Sequence, residues 1–143
     1  MQINVLMFNQ DDPKKCTAAK LVRFGLAKKI TTLRSKTALL HPFAADTLLN
    51  SEKHKFYSIT AIDCSWNKAP ETFSRLRLMG LEPRSLPSVI PANPVNSGKV
   101  GKLTTAEAIA SALLICKQYE QADKVMSVFK WGPAFIKINS SIL

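Results

Sequence analysis

Three short apolar runs constrain the fold of this chain more than any other feature. Ile3 to Phe8, Thr37 to Leu40 and Phe56 to Ile62 have the length of buried strands, and turn-forming residues follow each. The third is rich in aromatic and β-branched residues and is the strongest strand of the chain. Asn9 to Pro13 bounds the first run. His41-Pro42 stops the second, because proline cannot donate to a ladder and biases its predecessor towards extended backbone. Between these two, Thr17 to Lys29 spaces Leu21, Phe24 and Ala27 on one helical face, with Lys20, Arg23 and Lys28 elsewhere. Phe43 to Leu49 reads as a short helix, and Pro70 to Met79 as another with Gly80 as its stop.

Residues 81–103 change character. Four of the eight prolines fall there, with Gly98 and Gly101. A short extended segment is expected at Ser88 to Pro91, then a long ordered loop of the kind that usually carries function. Beyond it, Thr104-Thr105-Ala106-Glu107 has the form of a capping box, and Ala108, Ala112 and Ile115 recur at helical spacing. Gln118 to Lys130 and Pro133 to Asn139 read as two more helices. The expected organisation is an α/β half over residues 1–86 and a mainly helical half over residues 87–143.

Twenty Lys and Arg against ten Asp and Glu give a net charge of +10, which points to a polyanionic partner such as nucleic acid. The field is concentrated at the N-terminal end, where the first 37 residues hold eight basic and two acidic groups. The longest apolar stretch falls far short of the ~20 residues a membrane helix needs, and the first residues lack the basic n-region of a signal peptide. Cys16, Cys64 and Cys116 are odd in number and widely spaced, and His41 and His54 stand alone. A disulfide scaffold and a metal site are therefore not expected, and reduced thiols suit a cytoplasmic protein. There is no P-loop, no G-x-G-x-x-G after the first strand and no G-x-S-x-G.

Three segments have the makings of a site. Asp11 to Thr17 is a polar turn at the C-terminal edge of a strand, where ligands of open α/β sheets lie, and it serves equally as a helix cap. Asp63-Cys64-Ser65-Trp66 sets an acid beside an indole just past a strand, or is a turn with a core tryptophan. Ala92 to Lys99 leads into the helix that starts near Thr104, whose free N–H groups suit a carboxylate or phosphate, or are simply capped.

Together these segments carry a resemblance. DDPKKCT at 11–17 with KL at 20–21, DCSW at 63–66, LP at 86–87 with ANPVNSG at 92–98, KLTTAEA at 102–108 and FKWG at 129–132 occur in the order and spacing of one family. The chain closely resembles the small-subunit (16S/18S) rRNA aminocarboxypropyltransferases, as an archaeal-type member without the long eukaryotic tail, from about Asn9 to Asn139. The resemblance implies a SPOUT-like α/β fold with a deep trefoil knot. It implies S-adenosylmethionine as co-substrate between the two halves, with no metal. The family moves the 3-amino-3-carboxypropyl group to a hypermodified (pseudo)uridine of small-subunit rRNA and releases methylthioadenosine.

The same resemblance assigns residues. Leu40 and Pro42 match the adenine pocket, Leu86 a backbone contact to the nucleoside, and Thr17, Thr104 and Thr105 the positions that hold the amino-acid end. Trp66 and Ala69 are placed to bury the methyl group, an indole face also favouring a cationic sulfonium. Gly101 belongs to the same cofactor set, although the family commonly has aromatic residues in that loop, where this chain has Ser97 and Gly101. Asp63 is the expected catalytic residue, orienting the acceptor base or accepting its ring proton. Lys14, Lys20, Arg23, Lys28, Lys29 and Arg34 are expected to hold rRNA phosphates, and Trp131 is assigned to packing. The partner is then small-subunit rRNA or the pre-ribosomal small subunit, met in the cytoplasm by a monomer or weak dimer. Two alternatives use the same residues: a SPOUT-type RNA methyltransferase, or a non-catalytic rRNA-binding assembly factor.

Overall fold

The computed structural model describes residues 1–10, 12–78 and 80–143. Its centre is a parallel sheet. β1 (Gln2–Met7), β2 (Lys28–Ile30), β3 (Thr37–Leu40), β4 (Ser58–Asp63) and β5 (Glu82–Arg84) lie in the order β2-β1-β4-β3-β5. β1 and β4 run side by side in full register, from Gln2 opposite Ser58 to Met7 opposite Asp63. β4 is buried at all six positions and β3 at all four, as strands covered on both faces must be.

Side chains alternate across the pleat and divide the core in two. Ile3, Val5, Ala38, Leu40, Ile59 and Ala61 face the larger cluster, which includes Leu21 of α1 (Thr17–Arg23). α3 (Thr105–Ile115), α4 (Tyr119–Ser127) and α5 (Gly132–Ile138) add Ile109, Leu113, Met126 and Phe135 to it. Leu39 and Ile62 face the other way, onto Ala69 and Phe73 of α2 (Ala69–Ser74). α3 is buried nearly all round, because β4, α1 and α4 all pack against it.

Several expectations need correction. The expected SPOUT-like fold with a deep trefoil knot gives way to what the strand pairing defines: among the described residues, an α/β fold with an open five-stranded parallel sheet and five α-helices. Nothing in that pairing marks a knot. The helix expected over 17–29 stops at Arg23, and residues 28–30 form β2 instead. Gly25, at φ +72°, takes the left-handed turn that ends α1, with Gly25 N–H bonded to Val22 and Leu26 N–H to Leu21. Phe24 consequently leaves the helical face and is 59% exposed. Phe43 to Leu49 is not helical. Leu48 N–H donates to Ser85 O and Ser85 N–H to Asp46 O, so the segment pairs with the chain after β5. The helix expected to reach Met79 ends at Ser74; Met79 itself, like Asp11, lies outside the described residues. β5 contains Pro83, which an edge strand tolerates because one side of its ladder is unpaired.

Candidate active site

The C-terminal ends of β3 and β4, with the turn before α1, open into a cleft of about 860 Å³. Asp63, the last residue of β4, lines it and is itself 7% exposed. Both of its carboxylate oxygens are engaged. Oδ1 accepts from Thr105 Oγ1 at 2.7 Å, and Oδ2 accepts from the thiol of Cys16 at 3.2 Å. Cys16 is the N-cap of α1, its Sγ accepting from Ala19 N–H at 3.4 Å. Burial, assisted by the neighbouring Asp63 carboxylate, pushes the thiol up to about 11, so it stays protonated. Thr17 reaches across to α3, where its Oγ1 accepts from Ala106 N–H at 3.1 Å.

The start of α3 forms one wall. Thr104 is its N-cap and closes the capping box with Glu107 that the sequence announced. Two of the first three helical N–H groups are thereby taken inside the protein, Ala106 by Thr17 and Glu107 by Thr104. Glu107 does more than cap. Fully buried, it accepts from Ala92 N–H and Asn93 N–H on Oε2, and from Asn93 Nδ2 and Thr104 N–H on Oε1. Asn93 in turn accepts from Val95 and Asn96 N–H, so the proline-rich loop is held by buried side chains from within. At its start Asn139, from the end of α5, brackets Ile90 by bonding both its N–H and its C=O.

The opposite wall is apolar. Leu40 ends β3 and Pro42 follows it, and Leu86 lies past β5. Ala69 opens α2, and the Trp66 indole donates from Nε1 to Leu103 O at 3.0 Å, which fixes its ring. His41 packs on Phe73 with ring centroids 4.6 Å apart, and burial lowers its pKa below the usual histidine value. The imidazole is therefore neutral at neutral pH.

The structure brings together in this cleft all nine residues that the resemblance assigned to the co-substrate, from Thr17 to Thr105, along with Asp63. Gly101 is there with φ +83°, a conformation that disfavours the aromatic residue common in this loop of the family. The six basic residues assigned to rRNA lie elsewhere. Lys14 is in the turn before α1, and Lys20 and Arg23 are in the last turn of α1. Lys28 and Lys29 are exposed on the edge strand β2, and Arg34 is exposed beyond it. Lys15 and Lys99 stand in two of the candidate site segments without an assigned role, and with Lys102 they line the cleft. Cys16 and Glu107 were also missed as site residues; both stood inside quoted motifs, but burial gives them their roles. Trp131 stacks on Phe129 with centroids 4.8 Å apart, in keeping with packing.

Residues 38–143 match the family model described as ribosome biogenesis protein, C-terminal. The chain is 40% identical to a 16S rRNA aminocarboxypropyltransferase of Methanococcoides burtonii, over 99% of this chain and 83% of that one. It is 44% identical to one of Methanosarcina acetivorans, over 91% and 76% of the two chains. The chain belongs to the 16S rRNA aminocarboxypropyltransferase family. A solved member, the SAM-dependent rRNA:acp-transferase Tsr3 from Vulcanisaeta distributa, superposes with a TM-score of 0.93 at 36% identity. The match covers 99% of this chain and 79% of that one, so the parallel α/β architecture described above is the family's own. Residues 1–34 also match a model described as a possible Fer4-like domain in RNase L inhibitor. An iron–sulfur cluster needs four cysteine ligands as a rule. This segment has only Cys16, whose thiol is bonded to Asp63, so the residues present do not fit such a cluster.

Proposed function

We infer that this chain transfers the 3-amino-3-carboxypropyl group of S-adenosylmethionine to a hypermodified uridine or pseudouridine of small-subunit rRNA. One observation carries the reading beyond family membership: a buried carboxylate, Asp63, on a cleft of about 860 Å³ that is apolar on one side and threonine-rich on the other. That volume falls in the range of roughly 300–1,000 Å³ typical of small-molecule sites. The apolar wall of Leu40, Pro42 and Leu86 suits the adenosine, Trp66 and Ala69 suit the methyl group, and Thr104 and Thr105 suit the amino-acid end.

S-adenosylmethionine supplies an electrophilic sulfonium with three carbons open to attack, so the protein selects the product by presentation. The ring nitrogen of the acceptor must sit in line with the chain carbon, at near-attack distance. The new N–C bond forms as the C–S bond breaks, and the sulfur keeps the electron pair in methylthioadenosine. Asp63 orients the nitrogen by accepting its N–H. A carboxylate has about four lone-pair sites, so two remain beside those given to Cys16 and Thr105. With both oxygens already hydrogen-bonded, orientation suits Asp63 better than free base catalysis, and the proton leaves to solvent. Lys15, Lys99 and Lys102 on the cleft walls complement rRNA phosphates, and the exposed lysines and arginines from Lys14 to Arg34 extend that field. We place the reaction in the cytoplasm, on the small subunit, with the chain acting as a monomer or weak dimer of two functional halves, residues 1–86 and 87–143. Among the described residues no helix is long and apolar enough to cross a membrane.

The test uses small subunits that carry the unfinished acceptor nucleotide, with S-adenosylmethionine labelled separately in its methyl and carboxyl positions. Carboxyl label in rRNA with release of methylthioadenosine is the expected outcome. Methyl label in rRNA would make the chain a methyltransferase, and neither label would make it a binder.

A further inference from the structure

Cys16 has no part in the reaction as written above, yet it sits at the centre of the network that holds Asp63. The hydrogen bonds around it close into a ring. The Cys16 thiol donates to Asp63 Oδ2, and Thr105 Oγ1 donates to Asp63 Oδ1. The next residue of α3, Ala106, donates its N–H to Thr17 Oγ1, and Thr17 is bonded through the chain to Cys16. The start of α1, the end of β4 and the start of α3 are thereby tied around one carboxylate. The sulfur also has a direction imposed on it. It accepts from Ala19 N–H at 3.4 Å as the cap of α1, which leaves its hydrogen to point at Asp63.

We propose that Cys16 is a positioning residue for the transfer, aiming the Asp63 carboxylate at the acceptor by donating its thiol hydrogen to Oδ2. This rests on the reading that Asp63 orients the acceptor. Serine, threonine, aspartate and asparagine are the usual N-caps, and cysteine is not among them. Here the residue must accept from α1 and donate to a buried carboxylate at once, which excludes aspartate. Burial keeps the thiol protonated, so it attracts the carboxylate instead of repelling it and is no nucleophile towards the neighbouring sulfonium site.

The experiment compares Cys16→Ala, Cys16→Ser, Asp63→Asn and the double variant Cys16→Ala/Asp63→Asn. For each, kcat and the KM values for S-adenosylmethionine and small subunits are measured, with Tm alongside. Cys16→Ala is expected to lower kcat roughly tenfold, the scale of losing a hydrogen bond to a charged group, with both KM values within about twofold. Cys16→Ser, which can still cap and donate, is expected to restore kcat, and the double variant to be no slower than Asp63→Asn alone. Wild-type kcat in Cys16→Ala, a Cys16→Ser variant as slow as Cys16→Ala, or costs that multiply in the double variant would overturn the proposal. If Cys16→Ala fails to fold, Cys16→Gly keeps a workable N-cap while removing the donor and adding no charge. Slow transfer at a native-like Tm then supports the positioning role, and wild-type kcat overturns it. Asp63→Asn at wild-type rate would instead overturn the orienting reading on which the proposal stands, a result distinct from any failure of Cys16 alone.

Discussion

Asp63 and Glu107 are both buried carboxylates that bond to the first turn of α3, and the protein uses them differently. Glu107 accepts from Ala92, Asn93 and Thr104, on both oxygens, and every partner belongs to the loop or cap it holds together. Asp63 accepts from only two side chains and lines the cleft. A carboxylate saturated by the backbone and side-chain donors of its own loop and cap has nothing left to offer a ligand; one held by two donors at a cleft wall keeps acceptor capacity for a substrate. The contrast separates a group that holds the site together from one that faces the cleft with acceptor capacity to spare, although sequence patterning treats both as acids near a turn.

The contrast can be broken in order of expected effect. Glu107→Ala should cost about 3–5 kcal/mol in denaturant unfolding, because several buried N–H donors lose their acceptor at once. A variant that unfolds like the wild type would show that the loop does not depend on this anchor. Asp63→Asn should behave in the opposite way, with transfer slowed about 100-fold and unfolding free energy changed by no more than about 1 kcal/mol. A large loss of stability there would erase the distinction between the two acids. Gly132→Ala, distant from both, sharpens it as a control. A Cβ at Gly132 would overlap the Met126 backbone carbonyl, so about 1–3 kcal/mol of stability should be lost with the site chemistry unchanged in the folded fraction.

The smallest effect concerns a third carboxylate. Glu52 takes bonds from Arg84 Nε and Nη2, the shortest at 2.7 Å, and the guanidinium holds its pKa below the usual carboxylate value. The folded value lies below the unfolded one, so this stabilisation is full above pH about 4.5 and fades as pH falls through the lower folded value. Acid unfolding of Glu52→Gln should therefore lose on the order of 1 kcal/mol of the pH dependence in that window. An unchanged acid limb would show that the pair is idle.

Much of this was legible in the chain. The apolar runs at Ile3, Thr37 and Phe56 became β1, β3 and β4, because a strand covered on both faces needs near-continuous apolar residues. The Thr104 to Glu107 box became the start of α3, because capping is local chemistry. The two edge strands were missed for a physical reason. β2 and β5 are three residues each, one with two lysines and one with a proline, and only a neighbouring strand makes them extended. Likewise, Phe43 to Leu49 has helical residues, but its backbone is claimed by Ser85.

The site divides along the same line. The family resemblance carried by the motifs assigned Asp63, Trp66, Thr17 and Thr105 to one site, where residue identity alone left each segment readable as a cap or a turn, and all four line the cleft. Tertiary structure alone decided how they are held. The Cys16 thiol donates across 47 residues of sequence and Thr17 accepts across 89, and no local pattern encodes partners so far apart. Sequence therefore determined the three inner strands and the cap, and through the resemblance the membership of the cleft. Burial, which exists only once distant elements pack, decided which acid the protein uses up in its own bonding and which keeps acceptor capacity at the cleft.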